Sequence, residues 1–182
     1  DSESLFGKIL KINTSNSTAI PLAKGTRNAQ GIFVDKEENQ IWLTEHGPQG
    51  GDEINLLDLK NEDINFGWPI SSYGGHYGHS KVNQSGNLYE VRNRSVYKKF
   101  PLYKSHKDYG FTEPIKYFVP YIGISDIVKI YKSSKPKYTF FIVGAMGRPD
   151  NATDQDMSLS LFEWNQNQIE NFKTVTIGER VR

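Results

Sequence analysis

Apolar and polar residues along this chain alternate with a period of two, not 3.6. The segments Phe6 to Ile12, Gly31 to Val34, Gln40 to Thr44, Asp52 to Leu59, Ile124 to Tyr131, Tyr138 to Val143, Ser158 to Trp164 and Ile169 to Ile177 are short and rich in Ile, Val, Phe, Tyr and Trp. Clusters of Asn, Ser, Gly, Asp or Pro separate them, which is the pattern of half-buried strands joined by turns. No stretch carries an apolar stripe at helical spacing between capping residues. The predicted class is all-β, with Gly31 to Val34 and Phe140 to Val143 in buried inner or middle strands.

Many short strands leave sandwich, barrel and propeller open. The pairing of units favours the last. Gly31 to Asp35, a polar turn at Lys36 to Asn39, and Ile41 to Glu45 read as a hairpin; Lys129 to Tyr131, a turn at Ser133 to Lys137, and Phe140 to Gly144 repeat it. Leu161 to Trp164, the turn Asn165 to Gln168, and Ile169 onward supply an outer hairpin. Repeats of this kind resemble propeller blades of about 40 to 50 residues. We read residues 1–182 as a single partial β-propeller domain, interrupted by a long loop excursion at about 71–110.

Composition changes this picture little. Hydrophobic residues make up 36% and charged residues 24%, as in an ordinary globular domain. A net charge of +1, with no Lys/Arg run longer than Lys98-Lys99, predicts no nucleic-acid partner. No window predicts a membrane span, and the start Asp1-Ser2-Glu3-Ser4 is unlike a signal peptide. The absence of cysteine excludes disulfides and thiolate metal sites.

Four polar blocks exceed what a plain β-domain needs: Arg27-Asn28-Ala29-Gln30-Gly31, Glu45-His46-Gly47-Pro48, Gly50-Gly51-Asp52-Glu53-Ile54-Asn55 and Asn65-Phe66-Gly67-Trp68. Two of them fall where strands should end, so their polar groups would point out of a scaffold toward a ligand. The order and spacing of the blocks resemble the soluble, PQQ-dependent sugar dehydrogenases (the glucose/sorbosone and aldose dehydrogenases), with Phe66 in place of the family's Tyr. The resemblance fades after Pro69, resumes at Glu113 to Ile127 and Phe140 to Arg148, and ends on Gly178-Glu179-Arg180-Val181-Arg182. It covers most of this chain and about the second half of a typical family member.

That resemblance implies a six-bladed β-propeller, of which this chain would hold roughly three blades. It also implies PQQ and calcium as cofactors, an aldose sugar as substrate, and a periplasmic or secreted location. A half-propeller exposes unpaired blade edges, so the missing half of the ring is an expected partner.

PQQ is a planar ortho-quinone bearing three carboxylates, and its site must neutralise negative charge and polarise a quinone oxygen. A guanidinium presents paired planar donors for that task. The resemblance assigns Arg27, Asn28 and Gln30 to the cofactor, with His46 on the cofactor's side but not as the proton acceptor. Arg180 and Arg182, two apart on an extended segment, project to one face and match the family's clamp on PQQ carboxylates. The carbonyls of Gly47 and Pro48 match the family's calcium ligands; Gly-Pro cannot continue a strand, and calcium accepts carbonyl oxygens. The plainer readings are an Arg27 ion pair across a turn, an ordinary Gly-Pro turn, and a frayed basic end at Arg180 to Arg182.

Adjacent strand residues face opposite ways, so one of Asp52 and Glu53 should point inward and the other into solvent. Asn65 to Trp68 reads as a tight turn, and Trp42 and Trp164 as blade core. His76, His79 and His106 read as structural or exposed, since His-x-x-His without a third ligand is weak metal evidence.

Departures from the family pattern bear on activity. The family's catalytic His would lie upstream, so no catalytic residue is assigned. Its cofactor-contacting Lys has only Arg148 nearby, and its Ser/Thr falls on Tyr121 after Pro120. Three readings follow: the C-terminal part of a PQQ-dependent sugar dehydrogenase; a non-catalytic propeller fragment or paralogue that binds carbohydrate or a protein; or a hydrolytic or lactonase propeller using calcium, disfavoured because its metal-ligating Asn/Asp/Glu set is not evident.

Overall fold

Hairpin turns form where a residue tolerates a left-handed backbone. Ser17, Asn39 and Gln166 hold φ of 56°, 57° and 75°, conformations found at tight turns and tolerated best by Asn and Asp. The strands between them follow, in a computed structural model that describes residues 4–48, 50–74, 81–82, 88–89, 102–103, 106–132, 138–147 and 157–182. They are β1 (Lys8–Asn13), β2 (Thr18–Lys24), β3 (Ala29–Asp35), β4 (Gln40–Glu45) and β5 (Asp52–Asp58). Short strands β6 (Ser71–Ser72), β7 (Lys81–Val82), β8 (Leu88–Tyr89) and β9 (Leu102–Tyr103) come next, then a 3-10 turn at His106–Tyr109. The chain closes with β10 (Lys116–Phe118), β11 (Ile124–Lys132), β12 (Thr139–Met146), β13 (Met157–Trp164) and β14 (Ile169–Thr176).

Two four-stranded antiparallel sheets result, ordered β10-β5-β4-β3 and β11-β12-β13-β14, with β1-β2 as a separate ladder. The three hairpins read from the sequence are β3-β4, β11-β12 and β13-β14.

The two sheets face each other, and their cross-strand rows explain the contact. Phe33, Trp42 and Leu56 stand opposite one another across β3, β4 and β5; Phe141 and Phe162 do so across β12 and β13. Trp42, fully buried, lies 4.3 Å from the Phe141 ring and meets Trp164 edge-on at 5.1 Å. The opposite face of the first sheet is also covered: Ile41, Leu43 and Leu57 pack with Ala23, Ile64 and Phe66. A sheet buried on both faces has apolar residues at consecutive positions, which is why Ile41-Trp42-Leu43 reads as a run.

Edge strands β3 and β11 lie side by side. A Cβ on Gly31 would stand 2.7 Å from the Asp126 Cα, so only glycine permits this approach. Gly31 N–H donates to Thr44 Oγ1 at 2.9 Å, and that hydroxyl donates in turn to the Ser125 carbonyl. Lys129 Nζ closes the far end on Asp35 Oδ2 at 2.7 Å.

Three expectations are corrected. Gly31 to Val34 do not form a wholly buried strand: β3 ends its sheet, and Ile32 and Val34 are 56% and 48% exposed. β2 and β10 were not foreseen; β2 contains Pro21, and β10 has three residues between Pro114 and Pro120. Asp52 and Glu53 are both buried. They do face opposite ways, but neither face of β5 meets solvent there.

Candidate cofactor-binding site

The start of β3 and the end of β4 bring the first two polar blocks together. Arg27 N–H donates to Glu45 Oε1 at 2.6 Å, and His46 N–H donates to the Asn28 carbonyl at 3.1 Å. The Arg27 guanidinium turns back to donate to the His46 carbonyl at 2.8 Å and lies 5.4 Å from the Trp68 ring centre. Gln30 Nε2 donates to Asn28 Oδ1 at 2.9 Å, and both side chains are exposed. His46 Nε2 sits 2.6 Å from the Ile124 carbonyl. A carbonyl only accepts, so Nε2 carries the hydrogen and fixes the ring's tautomer.

Gly47 opens a loop crowded with carbonyl oxygens. A Cβ there would meet the carbonyl oxygens of Gly50 and Gly51, each at 2.2 Å. The carbonyls of Pro48 and Gly50 in turn crowd Gly74, at 2.0 and 2.2 Å from where its Cβ would stand. Asp52 staples this loop to the second sheet. Its Oδ1 accepts from Gly47 N–H at 3.2 Å, while Oδ2 accepts from Ile122 and Ile124 N–H at 3.1 and 3.0 Å.

Behind the loop lies a buried polar cluster that sequence reasoning did not assemble. Glu45 and Glu53 stand directly opposite across β4 and β5, and like charges in that position repel. Glu53 Oε1 takes the His106 Nε2 at 3.1 Å, and Glu53 Oε2 accepts from Asn55 Nδ2 at 3.1 Å. Glu45 Oε1 is held instead by the Arg27 N–H. Burial above all, and then the neighbouring Glu53 charge, push its pKa from 4.5 up to about 8. A cavity of about 10 Å³ sits among Glu45, Glu53, His106, Gly47 and Pro48. Among the described residues, Glu45 Oε2 and His106 Nδ1 are buried without partners. The signal available in the sequence was Glu45 closing an apolar run, since an acid there must be buried or must end the strand. His106, far away in sequence, gave none.

The C-terminal segment reaches the same end of the fold. Ser125 Oγ donates to the Val181 carbonyl at 2.6 Å, and Val181 N–H reaches the Ala145 carbonyl at 3.4 Å. Ser125 follows Ile124, whose carbonyl holds His46. Arg180 and Arg182 flank Val181 with exposed side chains. Tyr121 is half-buried and its backbone lies beside Gly50. Asn65 Oδ1 accepts from Gly67 N–H at 3.0 Å, the tight turn expected there. Arg148, His76 and His79 lie outside the described residues.

A cleft of about 830 Å³ is open and, of these groups, is lined by Arg27, Asn65 and Trp68. The functional groups themselves, not cavity size, locate the site.

Comparison with known proteins identifies the family and the fold. The family profile for glucose / sorbosone dehydrogenases matches residues 1–182, and the chain belongs to that family. It is 38% identical over 74 residues to the aldose sugar dehydrogenase YliI of Escherichia coli, which is 41% of this chain and 19% of that protein. The soluble aldose sugar dehydrogenase of Escherichia coli in its apo form superposes with a TM-score of 0.53 at 26% identity, covering 87% of this chain and 38% of that one. A PQQ-bound aldose sugar dehydrogenase from Streptomyces coelicolor shares the fold at a TM-score of 0.59 and 17% identity, over 100% of this chain and 43% of that one. The chain thus spans about two-fifths of the length of these solved relatives, and its sheets are blades of the sugar dehydrogenase propeller.

Proposed function

We propose that this chain is the C-terminal part of a PQQ- and calcium-dependent sugar dehydrogenase that oxidises an aldose at the anomeric carbon to a lactone, in the periplasm or outside the cell. The observation that carries the reading is the Arg27 guanidinium anchored on the His46 carbonyl beside the carbonyl-rich loop that starts at Gly47. The groups present fit both cofactors. A hard cation takes backbone carbonyls, which supports Gly47 and Pro48 as calcium ligands. A guanidinium flanked by exposed amides suits an anionic quinone, which supports Arg27, Asn28 and Gln30. When bound, PQQ supplies the two-electron acceptor for the sugar's anomeric C–H. His46, held by the Ile124 carbonyl, orients the cofactor side of the site, and the exposed Arg180 and Arg182 supply carboxylate contacts.

The remaining blades, in this reading, carry the general base. General acid–base groups contribute roughly 10² to 10⁴ in rate. We therefore expect the 182 residues alone, supplied with PQQ and calcium, to show no dye-linked oxidation of glucose or other aldoses. The same chain extended by its upstream coding region should show it. Robust turnover by the 182 residues, or none by the extended protein, would contradict the proposal.

A further inference from the structure

A second cavity lies at the opposite end of the blade pair. β4 runs from Gln40, which lines it, to Glu45, which borders the cofactor site. Its volume is about 310 Å³, at the lower end of the roughly 300 to 1,000 Å³ typical of small-molecule sites.

Strand register builds its walls. Asp35, Gln40 and Asp58 stand opposite one another across β3, β4 and β5, so they share the face that turns toward the second sheet. This row follows the Phe33-Trp42-Leu56 row directly, and the interface changes there from apolar to polar. Across the gap stand Thr139 and Trp164, themselves opposite each other on β12 and β13. Trp164 is 5% exposed, and among the described residues its indole N–H is buried without a partner. Buried donors are paired in the great majority of cases, so this one calls for an acceptor.

The lining selects the kind of acceptor. Among the described residues that line it, Asp35, Glu38 and Asp58 outnumber Lys60, and Asp35 is already bound to Lys129. An anion would meet like charge. A bare cation would leave the indole N–H unanswered. A neutral molecule with several hydroxyls accepts from the indole and donates to the carboxylates through the same type of group.

We propose that this inter-blade cavity binds a neutral polyol of monosaccharide size, at a site separate from the cofactor-side loop. The proposal does not depend on PQQ binding. Methyl β-glucopyranoside is a suitable probe, because its blocked anomeric carbon excludes oxidation. The chain's three tryptophans, Trp42, Trp68 and Trp164, give three indole N–H signals in a nitrogen-15 correlation spectrum, assigned by Trp164→Phe and Trp68→Phe. Trp164 reports this cavity, Trp68 the Arg27 side, and Trp42 the core.

The expected result is a saturable shift of the Trp164 signal. Asp58→Asn keeps the oxygen that accepts from Lys60 N–H but removes the charge, and should weaken binding roughly tenfold or more, as loss of a charge-assisted hydrogen bond does. Unmoved Trp42 and Trp68 signals verify that the variant is folded. A Trp164 signal that stays fixed through the titration would overturn the proposal, even if Trp68 moves. So would equal affinity in folded Asp58→Asn, or a non-saturating shift common to all three indoles.

Discussion

Replacing Asp52 by Ala should destabilise the fold and loosen the cofactor-side loop together. The carboxylate is 1% exposed and accepts three backbone N–H groups, one from Gly47, one from Ile124 at the start of β11 and one from Ile122 in the loop before it. A hydrogen bond to a charged group contributes about 1.5 to 3 kcal/mol, and a buried donor left unpaired costs about 1 to 3 kcal/mol. The three are not additive, and removing a buried carboxylate recovers some desolvation energy. The net loss is then on the order of 3 to 5 kcal/mol, against the roughly 5 to 15 kcal/mol that holds a typical domain folded. With a urea slope of about 1 to 3 kcal/mol per molar, the unfolding midpoint followed by Trp fluorescence should fall by at least about 1 M. Asp52→Asn presents N–H to at least one of these donors and should fall between wild type and Ala. Amide exchange at Ile122 and Ile124 should accelerate in the same order. A midpoint for Asp52→Ala within about 0.3 M of wild type, at unchanged slope, would refute the stapling role.

Glu45 predicts a pH effect of definite sign. Its folded pKa is raised from 4.5 to about 8, so the folded state holds the proton more tightly; the contribution is full below about 4.5 and lost as pH rises through about 8. Glu45→Gln keeps an acceptor for Arg27 N–H and cannot ionise. Its denaturation midpoint should therefore gain on wild type between about pH 5 and 8, and parallel pH profiles would contradict the assignment. His106→Ala leaves the buried Glu53 without the His106 Nε2 hydrogen bond and should cost about 1 to 3 kcal/mol. Glu53→Gln in that background should recover part of the loss in urea melts, and strict additivity would argue against the pair.

Much of the fold was legible because burial on one or both faces leaves a period-two or continuous apolar signature, as in Asp52 to Leu59 and Ile41 to Leu43. β10 escaped because three residues carry no period. The exposed half of β3 escaped because apolar residues such as Ile32 and Val34 do not announce which face is covered. At the site, Arg27, Asn28, His46 and Gly47 come from blocks local in sequence and lie beside one another because strands β3 and β4 are joined by a short turn. The Glu45-Glu53-His106 cluster depends on the cross-strand register and on a residue 53 positions from its partner. No local pattern encodes either. The inter-blade contacts of Asp52, reaching 70 and 72 positions along the chain, were hidden for the same reason.

The central claim is that the carbonyls of Gly47 and Pro48 and the Arg27 guanidinium form one calcium-assisted site for PQQ. Titration of the 182-residue chain with PQQ, followed by its absorbance with and without calcium and repeated on Arg27→Ala, tests it directly. Saturable binding that requires calcium, and that weakens about tenfold or more when the guanidinium is removed, is the predicted result. Absence of a calcium-dependent change in the wild-type spectrum, or equal affinity in a folded Arg27→Ala variant, would contradict the account.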